Sequence, residues 1–238
     1  MSSTEVLDIL AREYAPFPKE PRYDPTSELV FTILSQHTSD INSERAFNQL
    51  MATYESFEAV AEGDLDLIAE CIKPGGLAKV KAPRIKEVLN LILEMRGSLD
   101  LYFLKDMPLE DAKAWLKQLP GVGPKTAAII LSFALGMPAM AVDTHIFRVS
   151  KRLGLIGPKT TFEQAHDILE TSVQPEQVFD FHVALITHGR RVCKAPRPWC
   201  HSCVLAYACP SNGLWEKMAK KKNGASNKSK KKAASPTT

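Results

Sequence analysis

The sequence predicts an all-helical protein, and three observations lead there. Apolar residues recur at helical spacing, as in Leu29, Val30, Ile33 and Leu34, and again in Trp115, Leu116 and Leu119. No stretch alternates apolar and polar residues between hairpin turns, which argues against a major sheet. Proline and glycine punctuate the chain at short intervals: Pro74-Gly75-Gly76, Gly97, Pro108, Pro120-Gly121, Gly136, Pro138, Gly157-Pro158 and Pro175. That spacing leaves room for about ten helices of ordinary length. The 238 residues suffice for one large domain or two small ones, and a 45% apolar composition supplies a core without disulfide staples.

Taken in order, the apolar helix around Leu29–Leu34 runs into a polar stretch, Ser35-Gln36-His37-Thr38-Ser39-Asp40. A second loop, Gly75-Gly76-Leu77, places an apolar residue after two glycines. Both read as ordinary loop and cap residues. They also suit a protein that extrudes a base, with polar side chains filling the vacated space and an apolar wedge holding the duplex open.

The helix through Trp115 and Leu116 leads into Leu119-Pro120-Gly121-Val122-Gly123-Pro124-Lys125-Thr126. Two glycines one residue apart let the backbone turn sharply and approach a ligand closely. The free N–H groups of the following helix favour a phosphate. A plain helix–helix turn uses glycines in the same way. The turn is not a Walker A loop, because Pro124 separates Gly123 from Lys125 and no strand precedes it. From Ala127 to Leu135 the chain is apolar almost all round, and Gly136 and Pro138 stop it. A helix without a polar face is a buried central helix, and it holds whatever sits at its N-terminus rigidly. Lys125 lies in its first turn, where a cation opposes the helix dipole. A lysine there is either an amine nucleophile whose charged form is disfavoured, or a phosphate-contacting or solvated residue.

Val142-Asp143-Thr144-His145-Ile146-Phe147-Arg148 opens the next helix, with Ile146, Phe147, Val149 and Leu153 along one face. Asp143 reads as its N-cap. The same carboxylate, with its rotamer locked by the cap, could stabilise cationic charge or handle protons. Further on, Cys193, Cys200, Cys203 and Cys209 stand in one short stretch, and the fifth cysteine, Cys71, is alone. Such a density of thiols points to a four-thiolate metal site, either an iron–sulfur cluster or structural zinc. Lys194 and Arg197, with Pro196 and Pro198, make the first gap a stiff basic loop.

Charge is unevenly spread. Eight of the 30 basic residues lie beyond Glu216, where there is no acid, so the first 216 residues are acidic by five charges. The lysine-rich tail is expected to be disordered, as a solubilising end or a tether for polyanions. No run reaches the roughly 18 uncharged apolar residues of a membrane span, and the N-terminus lacks a secretory leader pattern.

Together, LPGVGPKTA, VDTHIFRV eighteen residues after the lysine, and C-x6-C-x2-C-x5-C resemble the endonuclease III branch of the helix-hairpin-helix DNA glycosylases. The resemblance covers residues 20–212. It implies two helical domains with the active site in the cleft between them: a six-helix barrel at 20–137 and an iron–sulfur domain built from 1–19 and 138–212; the basic, disordered tail at 213–238 lies outside the resemblance. It makes Lys125 the amine nucleophile and Asp143 the catalytic carboxylate. It assigns a [4Fe-4S] cluster to Cys193, Cys200, Cys203 and Cys209. DNA contacts are expected from Gln36, His37, Leu77, Gly121, Gly123, His145, Lys194 and Arg197. The implied activity is removal of oxidised pyrimidines from damaged double-stranded DNA, with strand nicking by β-elimination, by a cytoplasmic, nucleoid-associated monomer. His37 stands where the family commonly has glutamine, and Gly75 where it often has a bulky apolar residue. These departures bear on substrate and opposite-base preference, so a uracil or G·T-mismatch glycosylase is the alternative on the same scaffold. A noncatalytic DNA-binding protein with a structural metal is the reading from another class.

Overall fold

A computed structural model describes residues 1–214, all-helical in their regular structure; the lysine-rich tail beyond Glu216 lies outside the described residues. The chain forms two compact units. One comprises residues 18–141 with 174–179. The other comprises 1–17, 142–173 and the described residues from Asp180 onward. Along the chain, α1 (Ser3–Tyr14) belongs to the second unit. The first unit holds α2 (Pro25–Ser35), α3 (Asp40–Tyr54), α4 (Phe57–Glu62), α5 (Leu65–Cys71), α6 (Ala78–Arg96), α7 (Leu109–Leu116) and α8 (Pro124–Ile129). The second adds α9 (Thr144–Leu153), α10 (Phe162–Glu170) and most of α11 (Val178–Arg191).

The centre of the first unit is α2. Every residue from Pro25 to Leu34 is buried, and the helix packs on α3, α6, α8 and the segment after α8. Asp24 caps it, accepting from the Thr26 and Ser27 amides at 3.0 Å each, with Pro25 at the first helical position. Its buried polar side chains are all matched, as burial demands. Thr26 Oγ1 donates to the Leu99 carbonyl, Ser27 Oγ donates to Asp24 at 2.5 Å, and Glu28 accepts from Arg22 at 2.8 Å and from Thr32 at 3.4 Å. These polar residues hide the burial of α2 from a sequence reading.

The expected helix over Ala127–Leu135 is buried but does not run as one α-helix. It is α-helical to Ile129, then widens into a π turn over Ile130–Ala134. A π turn absorbs an extra residue, and an all-apolar stretch carries no phase that could mark it. The turn closes at left-handed Gly136 (φ +67°), after which the Met137 amide reaches back to the Leu131 carbonyl at 2.8 Å. That bond is of the Schellman type.

In the second unit, α1 and α10 start in capping boxes, Ser2 with Glu5 and Thr161 with Gln164. α9 and α11 meet at Gly189. A Cβ there would lie 2.9 Å from His145 Cβ and 3.1 Å from Val149 Cγ2, so only glycine permits the approach.

Candidate nucleic-acid interface and thiolate centre

The glycine pair between α7 and α8 forms a hairpin whose two glycines differ in what they do. Gly121 is left-handed (φ +76°) and carries the Arg84 side chain directly against its Cα. Gly123 is extended, serves as the N-cap of α8, and has nothing within 4 Å of where a Cβ would stand. The Val122 amide donates to the Leu119 carbonyl at 3.1 Å, closing the turn. Gln36 reaches this turn from the end of α2. Its Nε2 donates to the Gly121 carbonyl at 3.5 Å, and its Oε1 accepts from Arg84 Nη1 at 3.4 Å.

His37 and Leu77 both hold left-handed backbone conformations (φ +57° and +52°) without being glycine, and both are exposed. Such conformations cost about 1–3 kcal/mol each and persist only where the surroundings enforce them. Between the two loops stands Lys81 of α6, which is 2% exposed. Its Nζ donates to the Leu34 carbonyl at 2.6 Å and to the Gly75 carbonyl at 2.8 Å. One ammonium thus ties the loop that presents His37 to the loop that presents Leu77. Burial pushes it below the usual lysine range. Gly75 sits where its Cβ would lie 3.1 Å from Ala46 Cβ, so little room exists there for a larger residue.

Lys125 is exposed in the first turn of α8 and makes no hydrogen bond or ion pair among the described residues. Asp143 caps α9, its Oδ1 accepting from the Ile146 amide at 2.7 Å, as its place in the sequence predicted. The other oxygen is not hydrogen-bonded among the described residues. Lys125 belongs to the first unit and Asp143 to the second. His145 is half-buried, its Nδ1 3.2 Å from Arg148 Nη2.

The four clustered cysteines line one cavity of about 270 Å³ in the second unit. Arg152 borders it, donating to Cys193 Sγ at 3.3 Å and to the carbonyls of Cys193 (3.3 Å) and Lys194 (2.9 Å). Arg148 adds a bond to the Cys193 carbonyl at 3.0 Å and another to the Gly189 carbonyl at 2.8 Å. On the far side His188 Nε2 lies 3.5 Å from Cys203 Sγ, and Tyr14 Oη lies 3.0 Å from His188 Nδ1. Burial pushes His188 down to about 4 and Tyr14 up to about 12. It also pushes the Cys203 and Cys209 thiols up, because the charged thiolate is disfavoured away from water. In the loop between the first two cysteines, Arg197 is exposed. Lys194 is drawn back over the Trp199 ring, 3.8 Å from its centre.

Sequence reasoning missed Lys81, Arg84, Arg152, His188 and Tyr14. Only Lys81 left a signal: a lysine in register with the buried Ala82 and Ile85 of an otherwise apolar face. The others act on residues far along the chain, and no local pattern announces that.

An all-helical chain with a glycine hairpin, an exposed lysine behind it, a capped carboxylate opening a later helix and a four-thiol cavity defines the helix-hairpin-helix class of DNA-acting proteins. Within that class the chain belongs to the HhH-GPD superfamily of base excision DNA repair proteins, which its residues 30–175 match. It is 33% identical over 206 residues to endonuclease III of Thermotoga maritima, covering 86% of this chain and 92% of that one. A solved structure of a trapped endonuclease III–DNA covalent intermediate superposes with a TM-score of 0.76 at 28% identity, covering 89% of this chain and 97% of that one. A thermostable thymine-DNA glycosylase superposes with a TM-score of 0.70 at 25% identity, covering 90% and 95%. Among the described residues no helix is long and apolar enough to cross a membrane.

Proposed function

We propose that this protein is a DNA glycosylase with AP lyase activity that removes oxidised pyrimidines from damaged duplex DNA. One observation carries the reading. An exposed amine without a partner follows the hairpin, and a carboxylate with one uncommitted oxygen follows it by eighteen residues. Phosphate binding alone needs no such carboxylate. The endonuclease III relative trapped covalently on DNA supports the same chemistry.

The proposed reaction starts with Lys125 Nζ, in its uncharged form, attacking C1′ of the flipped nucleotide. The C1′–base bond breaks and the base leaves with its electron pair and a proton. A proton passes from nitrogen to O4′ as the C1′–O4′ bond breaks, which opens the sugar ring and gives a protonated imine between Lys125 and C1′. Removal of a C2′ proton then expels the 3′ phosphate by β-elimination, and water releases the enzyme. Asp143 stabilises the oxocarbenium-like charge at C1′ and relays protons through its free oxygen. Gln36, His37 and Leu77 occupy the space left by the base and the adjoining duplex step. Gly121 and Gly123 approach the backbone phosphates, and His145, Lys194 and Arg197 add contacts.

Cys193, Cys200, Cys203 and Cys209 would hold a [4Fe-4S] cluster. A tetrahedral zinc draws four sulfurs to about 2.3 Å from one point. The four cysteines surround one cavity of about 270 Å³, more space than a single ion fills. A four-iron cluster takes one thiolate at each iron. When bound it cross-links residues 193–209 to one another and so fixes the basic loop. The reading has the protein act on DNA as a cytoplasmic, nucleoid-associated monomer.

The test is borohydride trapping on a duplex carrying one thymine glycol, with Lys125→Ala alongside. A covalent adduct that vanishes in the variant is expected. An adduct on an abasic site but none on thymine glycol would keep the lyase and move the substrate to uracil or mismatched thymine. The likeness to a thymine-DNA glycosylase supports that second reading. No adduct on either substrate would overturn the lysine mechanism.

A further inference from the structure

A buried line of polar groups beside the thiols has no part in the chemistry above. His188 of α11 is 1% exposed. Its Nδ1 meets the Tyr14 hydroxyl of α1 at 3.0 Å, and its Nε2 meets Cys203 Sγ at 3.5 Å. The Tyr14 ring is held in place from another side by Arg191, whose guanidinium lies 5.7 Å from the ring centre. We infer that Tyr14 and His188 form a hydrogen-bond relay that presents an N–H to the Cys203 sulfur when that sulfur ligates a cluster, and so set the cluster's reduction potential and its persistence in air. This inference rests on the iron–sulfur reading of the four cysteines.

The positions of the protons follow from the ligand chemistry. A ligating sulfur carries no hydrogen and can only accept. Nε2 must therefore hold the ring proton, which leaves Nδ1 with a lone pair. The Tyr14 hydroxyl is the group at Nδ1, and it must donate. Tyr14 thereby fixes the tautomer of His188, the part an outer-shell partner plays for a metal-site histidine. An N–H on a cluster sulfur draws electron density from it and favours the more reduced state. Cys193 has a donor too, in Arg152, but that guanidinium also holds two loop carbonyls, so removing it would disturb the loop itself. At Cys203 the donor can be weakened by deleting a single oxygen atom thirteen residues from the chain start.

The decisive comparison is full-length wild type, Tyr14→Phe, His188→Phe and His188→Gln. All are measured for iron and sulfide content, reduction potential, rate of bleaching in air, and the hydrogen–deuterium shift of the cysteine iron–sulfur stretches by resonance Raman. Tyr14→Phe is expected to load the same iron and sulfide as wild type. Its potential should move negative, its bleaching should speed up by about tenfold, and its isotope shift should shrink. His188→Phe should go further the same way, and His188→Gln, whose amide can still donate, should recover part of the loss. A colourless wild type without iron and sulfide would overturn the cluster reading and the relay with it. A fully loaded wild type and Tyr14→Phe with equal potentials, bleaching rates and isotope shifts would overturn the relay alone. Tyr14→Phe keeps that outcome accessible even where a His188 variant does not fold.

Discussion

Replacing Gly121 by alanine should destabilise the protein by about 2 kcal/mol, whereas the same change at Gly123 should leave stability within about 0.5 kcal/mol. The two glycines look alike in the sequence, and the difference comes from their surroundings. At Gly121 the backbone is left-handed, with φ +76°. A side chain there costs about 1–2 kcal/mol. The new Cβ would stand 2.5 Å from Arg84 Cδ and 2.7 Å from Nε, atoms too near the helix to swing aside by a small torsion. Arg84 must leave, giving up its 3.4 Å bond to Gln36. That adds about 0.5–1.5 kcal/mol. The stiffer unfolded chain returns about 0.4–1 kcal/mol. At Gly123 φ is −96° and no atom lies within 4 Å of the new Cβ. Alanine is a poorer N-cap than glycine by about 0.5 kcal/mol, and the entropy gain offsets it. Urea unfolding of the full chain, read as a midpoint at constant slope, measures both. Gly123→Ala should nevertheless bind duplex DNA more weakly, because its Cβ occupies the face kept clear for a phosphate. Equal midpoint shifts for the two variants would refute this account of the hairpin.

Other outcomes follow from the same geometry. Asp143→Ala should cost about 1 kcal/mol by loss of the cap, while Asp143→Asn keeps most of the cap yet lowers single-turnover base release by at least about 100-fold; urea midpoints and quenched time courses separate the two effects. Lys81→Met leaves the Leu34 and Gly75 carbonyls without their buried donor and should cost about 3 kcal/mol; a loss below about 1 kcal/mol in urea unfolding would show that the two carbonyls find other partners. Leu77→Gly relieves a left-handed leucine and should leave stability unchanged or raise it by up to about 1 kcal/mol, while fluorescence anisotropy on a lesion duplex shows weaker binding.

Local features were legible in the sequence and distant ones were not. Asp143 could be read as an N-cap because a cap is a pattern of three or four residues. The hairpin was visible for the same reason, as was the thiol cluster. The central place of α2 was not, because Glu28 and Thr32 look solvent-facing until Arg22 and α2's own carboxylate–hydroxyl contact account for them. Lys194 looked like a free basic finger, yet Trp199 five residues on provides a ring for its ammonium to rest upon. Lys81 bridges to a carbonyl 47 residues away, Gln36 reaches a turn 85 residues on, and Tyr14 and His188 are 174 apart. Contacts at such separations arise from packing, and no short-range periodicity encodes them.

The wide turn at Ile130–Ala134 gives the spacing between the hairpin lysine and the later carboxylate a structural content. Within that interval one residue is spent on unwinding and does not advance the helix as its neighbours do. Deleting Ser132 would let the stretch tighten into regular α-helix, and because the wide turn absorbs that residue, the side chains beyond it would keep nearly the phase they have now. The eighteen-residue count that marks this chain is therefore a gauge of backbone geometry: homologous chains that differ from it by one residue are the ones in which to look for a regular helix in place of the wide turn.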